Sequence, residues 1–217
     1  MSVSMRQSLS ADDWASVALD ALAETGMKGL AVEPLARRLG VTKGSFYWHF
    51  ANRRALLKAA LELWEHRQTD EVLERAAREA DPRLRLVRLF READGSRRAG
   101  RLYLNLTGAT ENRLIADVVR RVMEHRLSFL GDCYRDMGLA AEQARSRAVL
   151  AYSVFIGTLA LRRDAPDMVP AGPTFRDHLE HICVALIPGY RPEMLEIIEA
   201  GAGARAPGEG ESLQEED

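Results

Sequence analysis

Apolar residues recur along most of this chain at spacings of three and four, the period of a helix with one buried face. Trp14, Val17, Ala18, Ala21 and Leu22 predict a first helix. Ser10 stands before it as N-cap, with Asp13 three residues on as capping-box partner, Leu9 and Trp14 at the staple positions, and Gly26 at its end. Leu35, Ala36 and Leu39 predict a second, over about 32–39, with Arg37 and Arg38 outward and Gly40-Val41 as the turn that follows. From Asn52 a long helix is predicted through Leu56, Leu57, Ala60, Leu61 and Trp64 to about Arg78, stopping before Asp81-Pro82. Further stripes follow. Leu84, Val87 and Phe90 mark one, broken at Gly95-Ser96; 102–107 marks a short segment; Leu114 to Tyr134 marks a long one ending near Gly138. The stretch 148–161 is apolar nearly all round, and Phe175, Leu179, Ile182 and Leu186 form the last stripe before Pro188-Gly189. No β alternation is sustained, so the expected fold class is all-α.

Between the second helix and the long one lies TKGSFYWHF, residues 42–50. If Thr42 caps a helix starting at Lys43, Phe46 and Phe50 share its inward face and Gly44, Ser45, Tyr47, Trp48 and His49 point outward. That is an unusual amount of aromatic surface to leave uncovered. Lys43 lies in the first turn, where the helix dipole favours an anion, and Arg53 and Arg54 repeat the pattern behind Asn52. Two consecutive helix N-termini that add cations to a positive dipole read as phosphate clamps on either side of a donor-rich reading helix.

Residues 29–61, GLAVEPLARRLGVTKGSFYWHFANRRALLKAAL, closely resemble the N-terminal helix-turn-helix of the TetR family of bacterial transcription regulators. The resemblance rests on the apolar-spaced helix, the Gly-Val turn, the Gly-Ser-Phe-Tyr-Trp-His-Phe block and the Asn-capped helix after it. It implies an all-helical homodimer, without metal or cofactor, that binds a palindromic double-stranded DNA operator. Its C-terminal domain would dimerise and take a small-molecule effector. Phosphate contact is expected from Lys43, Ser45, Tyr47, His49 and Arg53, and base-edge contact from the backbone at Gly44 and from Lys43, Tyr47 or Trp48. Thr42, Arg37 and Arg54 complete the expected DNA-binding set. The chain departs from the family at position 31, usually a capping Thr or Ser that touches a phosphate; Ala31 can do neither.

Composition and charge agree with this picture. At 217 residues, with 47% hydrophobic and 29% charged positions, the sequence is that of a globular protein. The net charge of −2 hides an asymmetry: residues 1–58 carry eight Lys/Arg against five Asp/Glu, so the head is +3 and the remainder −5. A basic head on an acidic body suits a nucleic-acid reader. No run approaches the roughly 18 apolar residues of a membrane span. Cys133 and Cys183 lack metal or redox spacing, and no signal-like segment opens the chain, so a reduced, cytoplasmic protein is expected, with both thiols in the core.

The expected domains are a DNA-binding head over 1–58, a helical ligand-binding and dimerisation body over 59–200, and an acidic, disordered tail over 201–217 behind a loose arm of about nine residues at the start. Enzyme signatures are missing: there is no phosphate-cradling glycine loop and no nucleophile elbow, and the spacing of His178, His181 and Cys183 does not by itself make a metal site. Trp64, Tyr103, Asn105, Thr107, His125, Phe129, Tyr152 and Phe155 are the candidate pocket residues, partly because they lie on helices that the family uses as pocket walls. Their mixed character suits a hydrophobic or aromatic ligand. Two rivals stay open: a constitutive DNA binder or one controlled by a partner protein, and a helical small-molecule-binding or enzymatic protein.

Overall fold

The computed structural model describes residues 9–92, 97–170 and 174–203, and among these there is no strand. Residues 1–8 of the arm expected over 1–9, the expected break at Gly95-Ser96 and residues 204–217 of the tail expected from 201 lie outside the described residues. Helix α1 spans Ala11–Thr25 and opens with the expected capping box: the Ser10 hydroxyl accepts from the Asp13 N–H, and the Asp13 carboxylate accepts from the Ser10 N–H at 2.7 Å. Those bonds hold the Asp13 carboxyl below its ordinary pKa, the backbone N–H having the larger effect. α2 (Val32–Arg38) and α3 (Lys43–His49) follow, joined through Gly40 at φ +66°, a left-handed turn suited to glycine. α4 (Arg53–Glu65) starts at Asn52, whose side chain accepts from the Ala55 N–H at 3.0 Å.

The predicted long helix is realised as one rod with a defect. After α4, residues His66–Asp70 form a π-helical turn, where the Glu71 N–H reaches the His66 carbonyl, and α5 (Glu71–Ala77) continues. The body then comprises α6 (Pro82–Glu92), α7 (Arg97–Thr107), α8 (Arg113–Asp136), α9 (Ala141–Asp164), α10 (Phe175–Leu186) and α11 (Glu193–Gly203). α7 begins five residues before the predicted segment. Its Gly100 sits where an added Cβ would come within 3.0 Å of the Leu159 side chain, so the glycine permits close approach of α7 and α9. α11 was not expected at all. Met194, Leu195 and Ile198 are buried on it and it packs on α6, so the tail predicted from 201 starts inside this helix, and its first three residues are helical.

Most of the buried residues form one connected cluster from Trp14 to Ile198. Trp14 is fully buried, edge-on to Phe46 with ring centroids 5.4 Å apart, so α1 supports the reading helix from below. α1 also packs on α4 and on α7. Asn105 on α7 donates to the carbonyls of Leu22 and Ala23 at 2.9 and 3.1 Å, satisfying two acceptors at the C-terminal end of α1. Arg98 pairs with Asp20 across the same contact, and Arg121 on α8 donates to Glu65 at the end of α4 at 3.1 Å. The N-terminal helices are therefore bonded to the body through α1 and α4.

Candidate nucleic-acid interface

Helix α3 lies on the rest of the head through Phe46 and Phe50, which are 0% and 6% exposed. Fixing these two rings decides where the others go. Tyr47 is 58% exposed and Trp48 88%, and Thr42, Lys43, Gly44 and His49 are exposed beside them, with Ser45 half-buried. Thr42 occupies the N-cap position, yet its side chain makes no capping bond. That corrects the expected cap: the Ser45 N–H is taken by the Thr42 carbonyl at 3.0 Å, leaving the hydroxyl at the open surface. Gly44 needs no glycine for the protein's own sake. A Cβ built there would meet only the Thr42 hydroxyl at 3.6 Å, an ordinary contact, and its φ is not positive.

The cations behave differently from the simple clamp expectation. Lys43 Nζ donates to the Glu33 carboxylate at 2.5 Å, a bond that raises the lysine's pKa and lowers the glutamate's. Arg53 donates to the Met27 carbonyl, tying the start of α4 to the 3₁₀ turn over Gly26–Gly29. Both side chains are long, exposed and already satisfied within the head; on a phosphate they exchange partners rather than gain a first one. Arg37 and Arg54 are exposed and have no ion pair among the described residues. Arg38, by contrast, is held by Glu24 at 2.5 Å. Ala31 caps nothing with its side chain, and α2 opens without a side-chain cap.

In the body, α4, the π turn and α5–α9 enclose a cavity of about 130 Å³. Four of the expected ligand residues line it, namely Trp64, Tyr103, Tyr152 and Phe155. Within it the Tyr103 and Tyr152 hydroxyls are 2.6 Å apart, and burial pushes the Tyr103 phenol above its ordinary pKa, which keeps it neutral. The other four do not line it. Asn105 is spent on α1, Thr107 bonds back to the Leu104 carbonyl at 3.1 Å, His125 faces Asp70 at 3.4 Å on an exposed surface, and Phe129 packs half-buried against the core elsewhere. They lie on helices that wall the cavity but not on the faces that line it. Among the lining residues that sequence reasoning missed is the charged Arg126, one position from His125 and turned inward. Its guanidinium lies 5.5 Å from the Tyr103 ring and 5.6 Å from the Phe155 ring, and it bonds to the Thr69 hydroxyl and the Gln68 carbonyl of the π turn.

Cys133 and Cys183 are buried and unlinked, and burial pushes both thiols up to about 12. No group of three or more metal-ligating side chains occurs among the described residues, and no described helix is long and apolar enough to cross a membrane.

A short helix that presents lysine, aromatic and histidine side chains over a buried two-ring anchor, with a second helix crossing beneath it, defines a helix-turn-helix head of the kind that enters a DNA groove. Residues 16–60 match the family model of the bacterial regulatory proteins of the tetR family. Over 45 residues the chain is 56% identical to the class A tetracycline repressor protein from transposon 1721 of Escherichia coli, a match covering 21% of each chain. Over 132 residues it is 30% identical to the HTH-type transcriptional regulator TtgR of Pseudomonas putida, covering 58% of this chain and 60% of that one. A solved TetR transcriptional regulator from Legionella pneumophila superposes with a TM-score of 0.70 at 17% identity, covering 85% of this chain and all of that one. Residues 16–60 therefore carry a helix-turn-helix of the TetR type, and the chain as a whole has the all-α fold of the solved TetR regulator. It aligns with only about a fifth of the length of the tetracycline repressors it matches.

Proposed function

We propose that this chain represses transcription by binding a palindromic operator as a homodimer, and that a small hydrophobic or aromatic molecule entering the body cavity releases it. The observation that carries the reading is the surface of α3, where Trp48 and Tyr47 stand exposed beside Lys43, Gly44 and His49 on a rigid aromatic support. Residues 1–58 act as the reading head and the body from 59 onward holds the ligand and the partner subunit. In this reading Lys43, Ser45, Tyr47, His49 and Arg53 meet phosphates, with Thr42, Arg37 and Arg54 beside them, and the backbone at Gly44 with Lys43, Tyr47 and Trp48 meets base edges. Repression comes from the tetracycline repressors' name, and the dimer is supported by the apolar side chains left open on α9 and α10: Val149, Leu150, Leu161 and Val184 are each about half exposed or more.

Selection of bound sequences from a random duplex pool tests the proposal. The wild-type chain enriches an inverted repeat with half-sites one helical turn apart, about 34–36 Å. Trp48→Ala broadens the enriched sequences while retaining binding to bulk DNA. Enrichment of no repeat, by a protein that shows no affinity for duplex DNA at low salt, refutes it.

A further inference from the structure

We infer that the cavity selects an apolar molecule carrying a single negative charge, a carboxylate or comparable oxyanion on an aromatic or aliphatic body, and that Arg126 receives the charge. The inference rests on the reading of this cavity as the effector site. Its walls are largely hydrocarbon and ring, which suits an apolar body. Two charged side chains break that surface, and they are not equivalent. Glu92 is held by the Arg75 guanidinium, Nη2 at 2.9 Å and Nε at 3.3 Å, so its charge is offset within the protein. Arg126 has no carboxylate partner among the described residues. Its Nε and Nη2 meet neutral acceptors, the Thr69 hydroxyl at 3.1 Å and the Gln68 carbonyl at 2.7 Å.

A half-buried guanidinium against two aromatic rings, with no counter-ion among the described residues, is the unbalanced charge of the described cavity wall. A ligand oxyanion balances it with charge-assisted hydrogen bonds, and the apolar wall strengthens them by excluding water. A cationic ligand meets the opposite situation. Arg126 already lies over the Tyr103 and Phe155 rings, and an ammonium group on any of the other rings would face a like charge. The same guanidinium bridges α8 to the π turn in the rod between head and body. A ligand that engages Arg126 therefore pulls on the segment through which the head is connected.

Calorimetry on the full chain tests this, with matched triads of carboxylate, carboxamide and methylammonium on phenyl, naphthyl and octyl bodies. The expected result is that, in at least one triad, the carboxylate binds roughly ten- to hundred-fold tighter than its carboxamide, and the ammonium weakest. Arg126→Met removes the advantage and Arg126→Lys, which keeps the charge, retains part of it. A carboxamide that binds as well as its carboxylate, or an ammonium that binds best, overturns the charge assignment and leaves the cavity as effector site. Absence of binding by every member of the three triads overturns both. The wild-type comparison needs no variant to fold, and thermal melts of the two Arg126 variants separate loss of contact from loss of structure.

Discussion

Replacing Gly44 by alanine should push stability and DNA binding in opposite directions. Gly44 is the second residue of α3, has helical φ, and faces open space apart from one ordinary contact at 3.6 Å, so a methyl group fits without strain. Removing a glycine's backbone freedom from such a site stabilises the folded state by about 0.5–1 kcal/mol, the lower end applying near a helix start. For a chain of this size that raises the melting temperature by about 1–4 °C. The same methyl projects from the surface that the proposed function lays against DNA, where glycine's value is close backbone approach. If lost fit costs about 1 kcal/mol per head, two heads lose about 30-fold in operator affinity. Differential scanning calorimetry and fluorescence anisotropy on one preparation measure both quantities. A Gly44→Ala protein that melts higher and binds DNA unchanged refutes the assignment of Gly44 to the interface; one that melts lower refutes the steric reasoning.

The remaining predictions concern the scaffold. Asp13→Asn removes a carboxylate whose pKa is lowered in the folded state; its contribution is present above the ordinary aspartate value of 3.8 and is lost as pH falls through the lowered value. The variant should therefore melt below the wild type at pH 7, the two curves converging under strongly acid conditions; a constant gap would show that the capping box is not the cause. Asn105→Ala removes the side-chain donor from two carbonyls at the end of α1, of which that of Leu22 keeps the Gly26 N–H, and should cost about 0.5–1.5 kcal/mol, read as a lower urea midpoint. With both thiols pushed up to about 12 and buried, a disulfide reagent at pH 8 should label neither cysteine of the folded chain and both after denaturation; rapid labelling of the native protein contradicts the packing.

How far the sequence could be read depended on whether the signal was local. The Ser10–Asp13 box, the Asn52 cap and the Phe46–Phe50 anchor each lie within four residues, and each was legible because such short spacings fix geometry. The π turn was not: one extra residue per turn leaves the apolar stripe of the rod almost unchanged, so 53–78 reads as uninterrupted helix. α11 did leave a signal, Pro192 followed by acids in the first turn and by Met194, Leu195 and Ile198 at helical spacing, but the Gly/Glu-rich sequence after it obscured the ending. The partners of Lys43 and Arg53 were invisible because long cationic side chains choose among acceptors only once the helices are packed. Arg126 was missed for a related reason. Its partners Gln68 and Thr69 are nearly sixty residues away, and nothing within a turn of it distinguishes an inward arginine from a solvated one.

The central claim, that the α3 surface grips a duplex through paired clamps, is tested most directly by the salt dependence of binding to the protein's own upstream intergenic DNA, with footprinting, for the wild type and Lys43→Ala. The account predicts a protected palindrome and a steep slope of log K against log salt. In the variant the slope falls by about 1.8, one phosphate contact from each of two heads, and affinity near 0.1 M salt falls about 60-fold. An unchanged slope in Lys43→Ala would show that the lysine stays with Glu33 and touches no phosphate. Absence of binding to any duplex at low salt would contradict the account as a whole.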